Sequence, residues 1–374
     1  MIFGVQKETK DHETRVGLLP SQVKEIVELG CEVLVQKDAG KLCGYPDEEY
    51  VNCGAKIVDT MKEIYDKSDV IMGIKELTEE HLSLLHEGLT IVTCLHTNSH
   101  REEVDALLKH KVTGIAWEDI TDETGGYPVL KTQSPIAGAG AVIMAAFYMS
   151  YAGGGPGIMM SKISGCPSAE VTVLGGGYSG IAACQQAAGM GAKVTLIDVN
   201  TDKLNQARAV LPSNVEYLLN TKENIEKRLE VSDLLLNCVP WPKERTDHLI
   251  TKDMMDKHAR KGLFVCDVAC DVNGALETTI KSTSHSDPLY ELNGVTYYTV
   301  DNIPAAFGKS ASYTFTPIAF NHILEIAKKG VKQALIDDKY LRTGLSTYDG
   351  KLTLKETGIK QNRDFCSPEE ALGI

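Results

Sequence analysis

The sequence predicts an α/β protein of two parallel-sheet domains. Three observations lead there: its length, two successive series of apolar runs alternating with amphipathic stretches, and a helical pattern at the end. At 374 residues, the chain exceeds what one core of ordinary size supports, which sets an expectation of about two domains. In the first series IFGV, CEVLVQ, DVIMGI, LTIVTCLH and VTGIAWE read as strands. Between the first two, SQVKEIVELG reads as a helix with Ser21 as its N-cap, Val23, Ile26 and Val27 on one face, and Gly30 as its stop. Such alternation argues for a parallel sheet.

The second series begins at Glu170. AEVTVLGGG is a strand running into a glycine turn, YSGIAACQQAAGMG a helix, AKVTLIDVN a strand and TDKLNQARAVL a helix, while VEYLLN, DLLLNCVP and GLFVCDVA supply further buried strands. After about Pro304 the pattern turns helical, notably in PIAFNHILEIAKKGVKQALI, where Ile318, Ile323, Ile326 and Val331 fall near helical spacing. No repeat or low-complexity linker separates the pieces. The expected organisation is a discontinuous domain of residues 1–130 plus 304–374 and an inserted domain of residues 131–303, joined by long helices.

Composition narrows the function classes. Hydrophobic residues at 43% and charged residues at 24% exclude a disordered or collagen-like chain. With 38 Lys+Arg against 51 Asp+Glu the formal charge is −13, which repels a phosphate backbone, and no basic run offsets it, so nucleic acid is not an expected partner. The ten cysteines show no CxxC pair and no zinc-site spacing, so they read as small apolar fillers and no metal is expected. The N-terminal MIFGVQKETK lacks a basic stretch followed by an apolar core, which points to the cytoplasm, without disulfides. Thr132 to Ser161 carries no charged residue, and length alone admits a membrane span. Its Ala and Gly content, with Pro135, Pro156 and a glycine run, favours instead a helix buried between domains, and no membrane association is expected.

LGGGYSG contains Gly175-x-Gly177-x-x-Gly180, preceded by a β-branched strand, followed by an Ala-rich helix, and followed 18 residues after Gly180 by Asp198 at the end of VTLID. That is the fingerprint of a Rossmann-like dinucleotide site. Gly175 permits the tight turn, Gly177 lets backbone amides approach a pyrophosphate at a helix N-terminus, and Gly180 lets helix and strand pack closely. Asp198 accepts from the ribose hydroxyls and repels a 2′-phosphate, which favours NAD. Lys203, five residues on, either softens that preference or is a solvated helix charge.

A reacting site is marked at strand ends. Lys7, Lys10 and Arg15 follow the first strand, Lys75 and Glu76 follow DVIMGI, and His96 follows LTIVTCL. These put cations and an imidazole at the carboxyl ends of buried strands, where α/β folds bind ligands. The chain resembles the alanine dehydrogenase family, relatives of the NAD-binding part of proton-translocating transhydrogenase. The resemblance rests on KETKDHETRVGLLP, DEEYVNCGA, the Lys75-Glu76 pair, Leu95-His96, SPIAG at 134 to 138, LGGGYSG, GMGAKVTLIDVN, DVACDVNGALET and VDNIPAA. It covers nearly the whole chain and implies two Rossmann-like domains.

The resemblance implies that Arg15 and Lys75 hold the substrate carboxylate and polarise its carbonyl, with His96 as general acid/base. Asp271 would sit across from it and steer the water or ammonia step; Asn302 and Ile303 would line the nicotinamide end, and Ser134 would touch the cofactor. The implied activity is NAD-dependent L-amino acid dehydrogenation, the reversible deamination of L-alanine to pyruvate and ammonia, by a homohexamer. The alternatives are an opine- or saccharopine-type dehydrogenase joining a 2-oxo acid to an amine, and a dehydrogenase for another small amino acid. Oxidation of an α-amino acid moves a hydride from Cα to the nicotinamide and yields an iminium that water attacks. Paired cations orient the carboxylate, and a histidine moves the protons. The chain departs from the family at four places: Cys94 stands where a Tyr is usual, Pro135 for Glu, Ala139 for Arg, and Val272-Asn273-Gly274 for Gln-Gly-Gly. Losing a ring and a charged pair leaves the pocket larger or less polar.

Overall fold

In a computed structural model that describes residues 1–242 and 245–374, the first sheet holds β1 (Ile2–Val5), β2 (Glu32–Gln36), β3 (Lys56–Val58), β4 (Val70–Met72), β5 (Thr90–Thr93) and β6 (Thr113–Ala116); the five apolar runs of the first series become all of these but β3, a short strand the sequence reading did not include. They pair in parallel in the order β3-β2-β1-β4-β5-β6, and two antiparallel strands, Leu345–Tyr348 and Lys351–Leu352, extend the β6 edge. Alternation along each strand feeds two cores. Val33, Val35, Val70, Met72 and Val92 pack on one face with Phe315, Ile323 and Ile326, whereas Leu34, Ile71 and Ile91 pack on the other with Ile64, Tyr65 and Leu107. Burying each such side chain contributes about 1.5–3 kcal/mol, so helix Gly308–Lys329, which carries Phe315, Ile323 and Ile326, is tied firmly to this sheet. Met1–Gln133 and Phe307–Ile374 form one compact unit and Ser134–Ala306 a second.

The second unit holds β7 (Glu170–Leu174), β8 (Lys193–Asp198), β9 (Val215–Leu219), β10 (Leu234–Asn237), β11 (Phe264–Asp267), β12 (Leu289–Leu292) and β13 (Val295–Tyr298). Their order is β9-β8-β7-β10-β11-β13-β12, parallel except for the β12–β13 hairpin. The chain is thus an α/β protein of two mostly parallel sheets, the first unit discontinuous. In each sheet the order reverses once, between β1 and β4 and between β7 and β10.

Four local expectations are corrected. Helix Pro20–Glu28 starts before Ser21: Pro20 occupies the first turn, for which its fixed φ is suited, and the Leu19 amide donates to Gln22 Oε1 at 2.8 Å, so Ser21 caps nothing. Pro135 lies inside helix Pro128–Tyr148 rather than breaking it. That helix is not buried all round. Ala141, Val142 and Ala145 are wholly buried but Ile143 and Phe147 are 41% and 53% exposed, since lack of charge does not require every face to be covered. No helix among the described residues is long and apolar enough to cross a membrane. Finally, the long helical pattern near the end stops at Lys329 and restarts at Val331, with Gly330 at φ 81° between; Ile323 and Ile326 face the core while Ile318 is exposed.

Close packing in the second unit depends on Gly180. A Cβ there would lie 1.8 Å from the Gly175 carbonyl oxygen, which is backbone and has no freedom to move aside. Gly180→Ala is expected to lower stability by about 1–3 kcal/mol, as overpacking does; urea unfolding of variant and parent measures it.

Candidate active site

In the first unit the segments leaving β1, β4, β5 and β6 carry the chemistry. Arg15 is buried, its Nη2 2.6 Å and Nε 2.8 Å from the two oxygens of Glu13, and its Nη1 donates to Gln133 Oε1 at 3.1 Å. Burial works against the guanidinium charge, but Glu13 outweighs it and keeps Arg15 protonated. Lys75 Nζ lies 3.4 Å from Glu76 Oε2, and Lys10 Nζ donates to Glu76 Oε1 at 2.8 Å. Burial alone would raise the Glu76 carboxyl; Lys75 and Lys10 instead hold it down to about 2. The backbone of Lys75 is pinned as well. Glu8 accepts from the Ile74 amide at 2.8 Å and the Lys75 amide at 3.2 Å, while Thr93 Oγ1 donates to the Lys75 carbonyl at 2.7 Å.

His96 follows β5 with φ at 46°, a left-handed conformation unfavourable for a residue with a Cβ. Its amide donates to Glu118 Oε1 at 2.6 Å, and the same oxygen lies 3.8 Å from Nδ1. Burial, reinforced by Lys75, holds the imidazole down to about 4 against the pull of Glu76, so it is neutral at pH 7. Glu118 itself is pushed up to about 7 by burial and by Asp119. Arg15 and Lys75 both act on the buried Cys94 thiol, and Lys75 acts on His96, so these side chains gather at the carboxyl ends of β1, β4 and β5.

In the second unit a cavity of about 770 Å³ opens at the β7/β10 reversal, lined by Ser134, Gly175, Gly177, Asp198 and Lys203 among others. Gly175 has φ 95°. Gly177 precedes helix Tyr178–Met190, and a Cβ on it would meet nothing within 4 Å, so space for a ligand stands directly over the helix N-terminus. Asp198 accepts from the Gly176 amide at 2.7 Å through Oδ2 and from the Asn200 amide at 2.8 Å through Oδ1. Each oxygen keeps a second lone pair, so the carboxylate is oriented yet still able to accept from a diol. These features fit a dinucleotide. Asp271 Oδ2 accepts from the amide of Trp241, a cavity-lining residue, at 2.8 Å, and Asp271 is bracketed by Cys270 and Asn273 at φ 56° and 50°. Asn302 and Ile303 are buried away from the lining of this cavity, with His285 Nε2 2.9 Å from the Asn302 carbonyl oxygen.

Family models for alanine dehydrogenase/PNT match the chain twice, the N-terminal domain at residues 4–137 and the C-terminal domain at residues 141–355. The chain belongs to the alanine dehydrogenase/PNT family. It is 37% identical over 372 residues to an alanine dehydrogenase of Methanococcus maripaludis and 34% identical over 372 residues to one of Staphylococcus saprophyticus, with 100% of each chain covered. A solved L-alanine dehydrogenase superposes at a TM-score of 0.91 with 31% identity, over 97% of this chain and 99% of that one. A transhydrogenase from Sinorhizobium meliloti shares the fold, at a TM-score of 0.78 and 22% identity over 95% and 99% of the two chains.

For this member of the alanine dehydrogenase/PNT family, several site residues escape sequence reasoning. Glu118 was findable, since it follows an apolar strand just as Lys75 and His96 do. Glu8 and Glu13 were not, because only the fold brings half-buried Glu8 to the Lys75 amide and buries Glu13 against Arg15. In the second unit Asn220, Val239 and Trp241 line the cavity from segments after β9 and β10, and carry no motif.

A raised carboxyl makes the folded state bind more protons than the unfolded chain. Stability from Glu118 is therefore complete below pH 4.5 and is lost as pH rises through about 7. Glu118→Gln, which keeps the acceptor for the His96 amide and cannot ionise, is expected to unfold like the parent at pH 5 and to be about 1–3 kcal/mol more stable at pH 8, read from urea midpoints at both pH values.

Proposed function

We propose that the chain is an NAD-dependent L-alanine dehydrogenase, converting L-alanine, water and NAD⁺ to pyruvate, ammonium, NADH and a proton, and the reverse. The observation that carries this reading is the gathering of Arg15, Lys75 and a neutral His96 at the carboxyl ends of neighbouring strands in a chain that matches alanine dehydrogenases along its whole length. Bound at the Gly175–Gly180 turn, a nicotinamide dinucleotide supplies the hydride acceptor. Gly177 and its neighbours would take the pyrophosphate, Asp198 the ribose hydroxyls, Lys203 and Ser134 the cavity walls, and Asn302 and Ile303 the nicotinamide end.

The two cations serve differently. Arg15 is compensated by Glu13, so it orients a carboxylate by the geometry of its fork more than by net charge. Lys75 shares Glu76 with Lys10 and polarises the 2-oxo or carbinolamine oxygen, where charge develops. Neutral His96 takes a proton from the attacking water and returns it to the departing amine. An incoming carboxylate offsets Lys75, the second cause of the low imidazole value, and so raises the His96 titration toward its ordinary range once substrate is bound. Asp271, oriented by the Trp241 amide, steers the water or ammonia. Exposed Ile143 and Phe147 on helix Pro128–Tyr148, which carries no charge after Lys131, support self-association, for which the family resemblance implies a hexamer.

NADH consumption with pyruvate and ammonium, set against other 2-oxo acids and amines, tests the reading; faster turnover with a bulkier amine than with ammonium would sink it in favour of an opine-type enzyme. His96→Gln is expected to lower kcat by at least about 10²-fold with NADH affinity nearly intact, since the imidazole acts on protons rather than on the cofactor. Asp198→Ser is expected to weaken NAD binding and raise the relative use of NADP, because it removes both the ribose acceptor and the charge that repels a 2′-phosphate. Steady-state kinetics with each cofactor reports the ratio.

A further inference from the structure

The strained backbone at His96 needs support from more than one side. Glu118 holds the His96 amide, and the Ser99 amide closes the turn onto the His96 carbonyl at 2.8 Å. The remaining support comes from the far end of the chain. Thr97 Oγ1 lies 2.7 Å from Thr357 Oγ1, Thr357 Oγ1 donates to Asn98 Oδ1 at 2.7 Å, and Gln361 Nε2 donates to the Thr97 carbonyl at 2.5 Å. Arg101 Nη1 donates back to the Gln361 carbonyl at 2.9 Å, and Arg363 ties Gln361 Oε1, at 2.7 Å from its Nε, to Asp105 at 2.6 Å from its Nη1. Thr357 and Gln361 both belong to helix Lys355–Gln361.

A hydroxyl has one proton. Thr357 commits its proton to Asn98, so the Thr97 hydroxyl must be the donor to Thr357, and the chain runs Thr97 to Thr357 to Asn98. Thr97 and Thr357 are 2% and 0% exposed, which leaves water no room to replace a lost partner. Removing the Thr357 hydroxyl therefore strands a donor and an acceptor in the two residues that follow His96. The helix cannot easily drift to compensate. A Cβ on Gly358 would lie 2.3 Å from the Phe365 ring, and the Cys366 amide donates to the Leu352 carbonyl at 3.0 Å, locking this segment to the sheet edge.

We propose that Thr357 is a positioning residue for His96, and that helix Lys355–Gln361 serves the reaction by holding the His96 turn in its strained form. This rests on the proposed acid/base role of His96. The groups acting on the imidazole are Glu118 from the segment after β6, Lys75 and Glu76 from that after β4, Lys10 from that after β1, and His100 on its own loop. A loosened turn lets the ring, which is half-buried, move away from Lys75 and further into water, so its titration moves from about 4 back toward the ordinary 6.5.

The test compares full-length Thr357→Val, Thr357→Ser and parent by kcat, NADH affinity, the pH profile of kcat/KM, and the NMR titration of the His96 ring, assigned against His96→Gln. The valine variant is expected to lose roughly 10- to 100-fold in kcat, the scale of a misplacement near 1 Å. Its NADH affinity should hold, and both the His96 titration and the acid limb should move upward. Serine, which retains the hydroxyl, should restore all of these. The proposal is overturned if the folded valine variant keeps the parent's titration and kcat, or if serine is as impaired as valine, which would assign the effect to methyl packing. Should the valine variant fail to fold by circular dichroism, Gln361→Leu, which removes the bond to the Thr97 carbonyl together with the one accepted from Arg363 Nε, is expected to move kcat and titration the same way, and no movement there overturns the proposal too. Absence of alanine-dependent NAD reduction in the parent would instead refute the proposed function, while the ring titration still decides whether Thr357 positions His96.

Discussion

Both units depend on one topological constraint: a parallel sheet whose strand order reverses must send its connections to opposite faces at the point of reversal. The two strand ends there diverge, and nothing from the chain's own crossovers fills the gap between them. In the first sheet the reversal falls between β1 and β4, in the second between β7 and β10. Arg15 and Lys75 sit on the segments leaving the first pair, and Gly175 and Val239 on those leaving the second. The chemistry-bearing residues are therefore found where the backbone alone would leave a crevice.

Within the first unit, what then has to be solved is charge. An ion taken out of water without a partner costs several kcal/mol, yet this end of the sheet holds Arg15, Lys75, Glu8, Glu13, Glu76 and Glu118 in buried or half-buried positions. The solution is local neutrality. Glu13 cancels Arg15, Glu76 is shared by Lys10 and Lys75, and Glu8 and Glu118 are both pushed up to about 7, burial being the largest cause. The imidazole is the member that gives way, and it stays uncharged because burial disfavours its charge and Lys75 adds to that. A histidine kept neutral beside a lysine is ready to accept a proton, which is what the attack of water on an iminium requires.

Much of this was legible in the sequence. Apolar runs located every parallel strand except β3 and β13, and the glycine fingerprint located the cavity of the second unit. Two hairpins were missed although their signals were present: Asn293-Gly294 joins β12 to β13 and Asp349-Gly350 joins the last two strands, each pair in the left-handed region at both residues, the pattern of the tightest hairpin turns. The antiparallel strands were hidden by the parallel pattern around them. The partners of the reacting residues were illegible for a different reason. Thr357 lies 260 residues from Thr97, and neither the spacing nor the type of two threonines marks them as a pair; only the return of the chain to the first sheet does.

The two units reach unusual backbone geometry by opposite means. At the dinucleotide turn the left-handed residue is Gly175, and Gly177 and Gly180 remove side chains where a ligand or a strand must approach; glycine adopts these conformations without steric cost. At His96, and at Cys270 and Asn273 beside Asp271, the left-handed residues carry side chains, so the conformation persists only while its neighbours enforce it. For Asp271 the enforcing bonds are local: Asn273 donates its amide to the Thr279 carbonyl at 2.8 Å, and Cys270 donates its amide to buried Asp267 at 3.0 Å. For His96 they come from the segment after β6 and from helix Lys355–Gln361. The glycine turn thus needs little beyond its own sequence and the Asp271 turn is held locally, whereas the His96 turn depends on contacts made elsewhere in its unit; on the proposed function, substitutions among those contacts should tell more heavily on turnover than on cofactor binding.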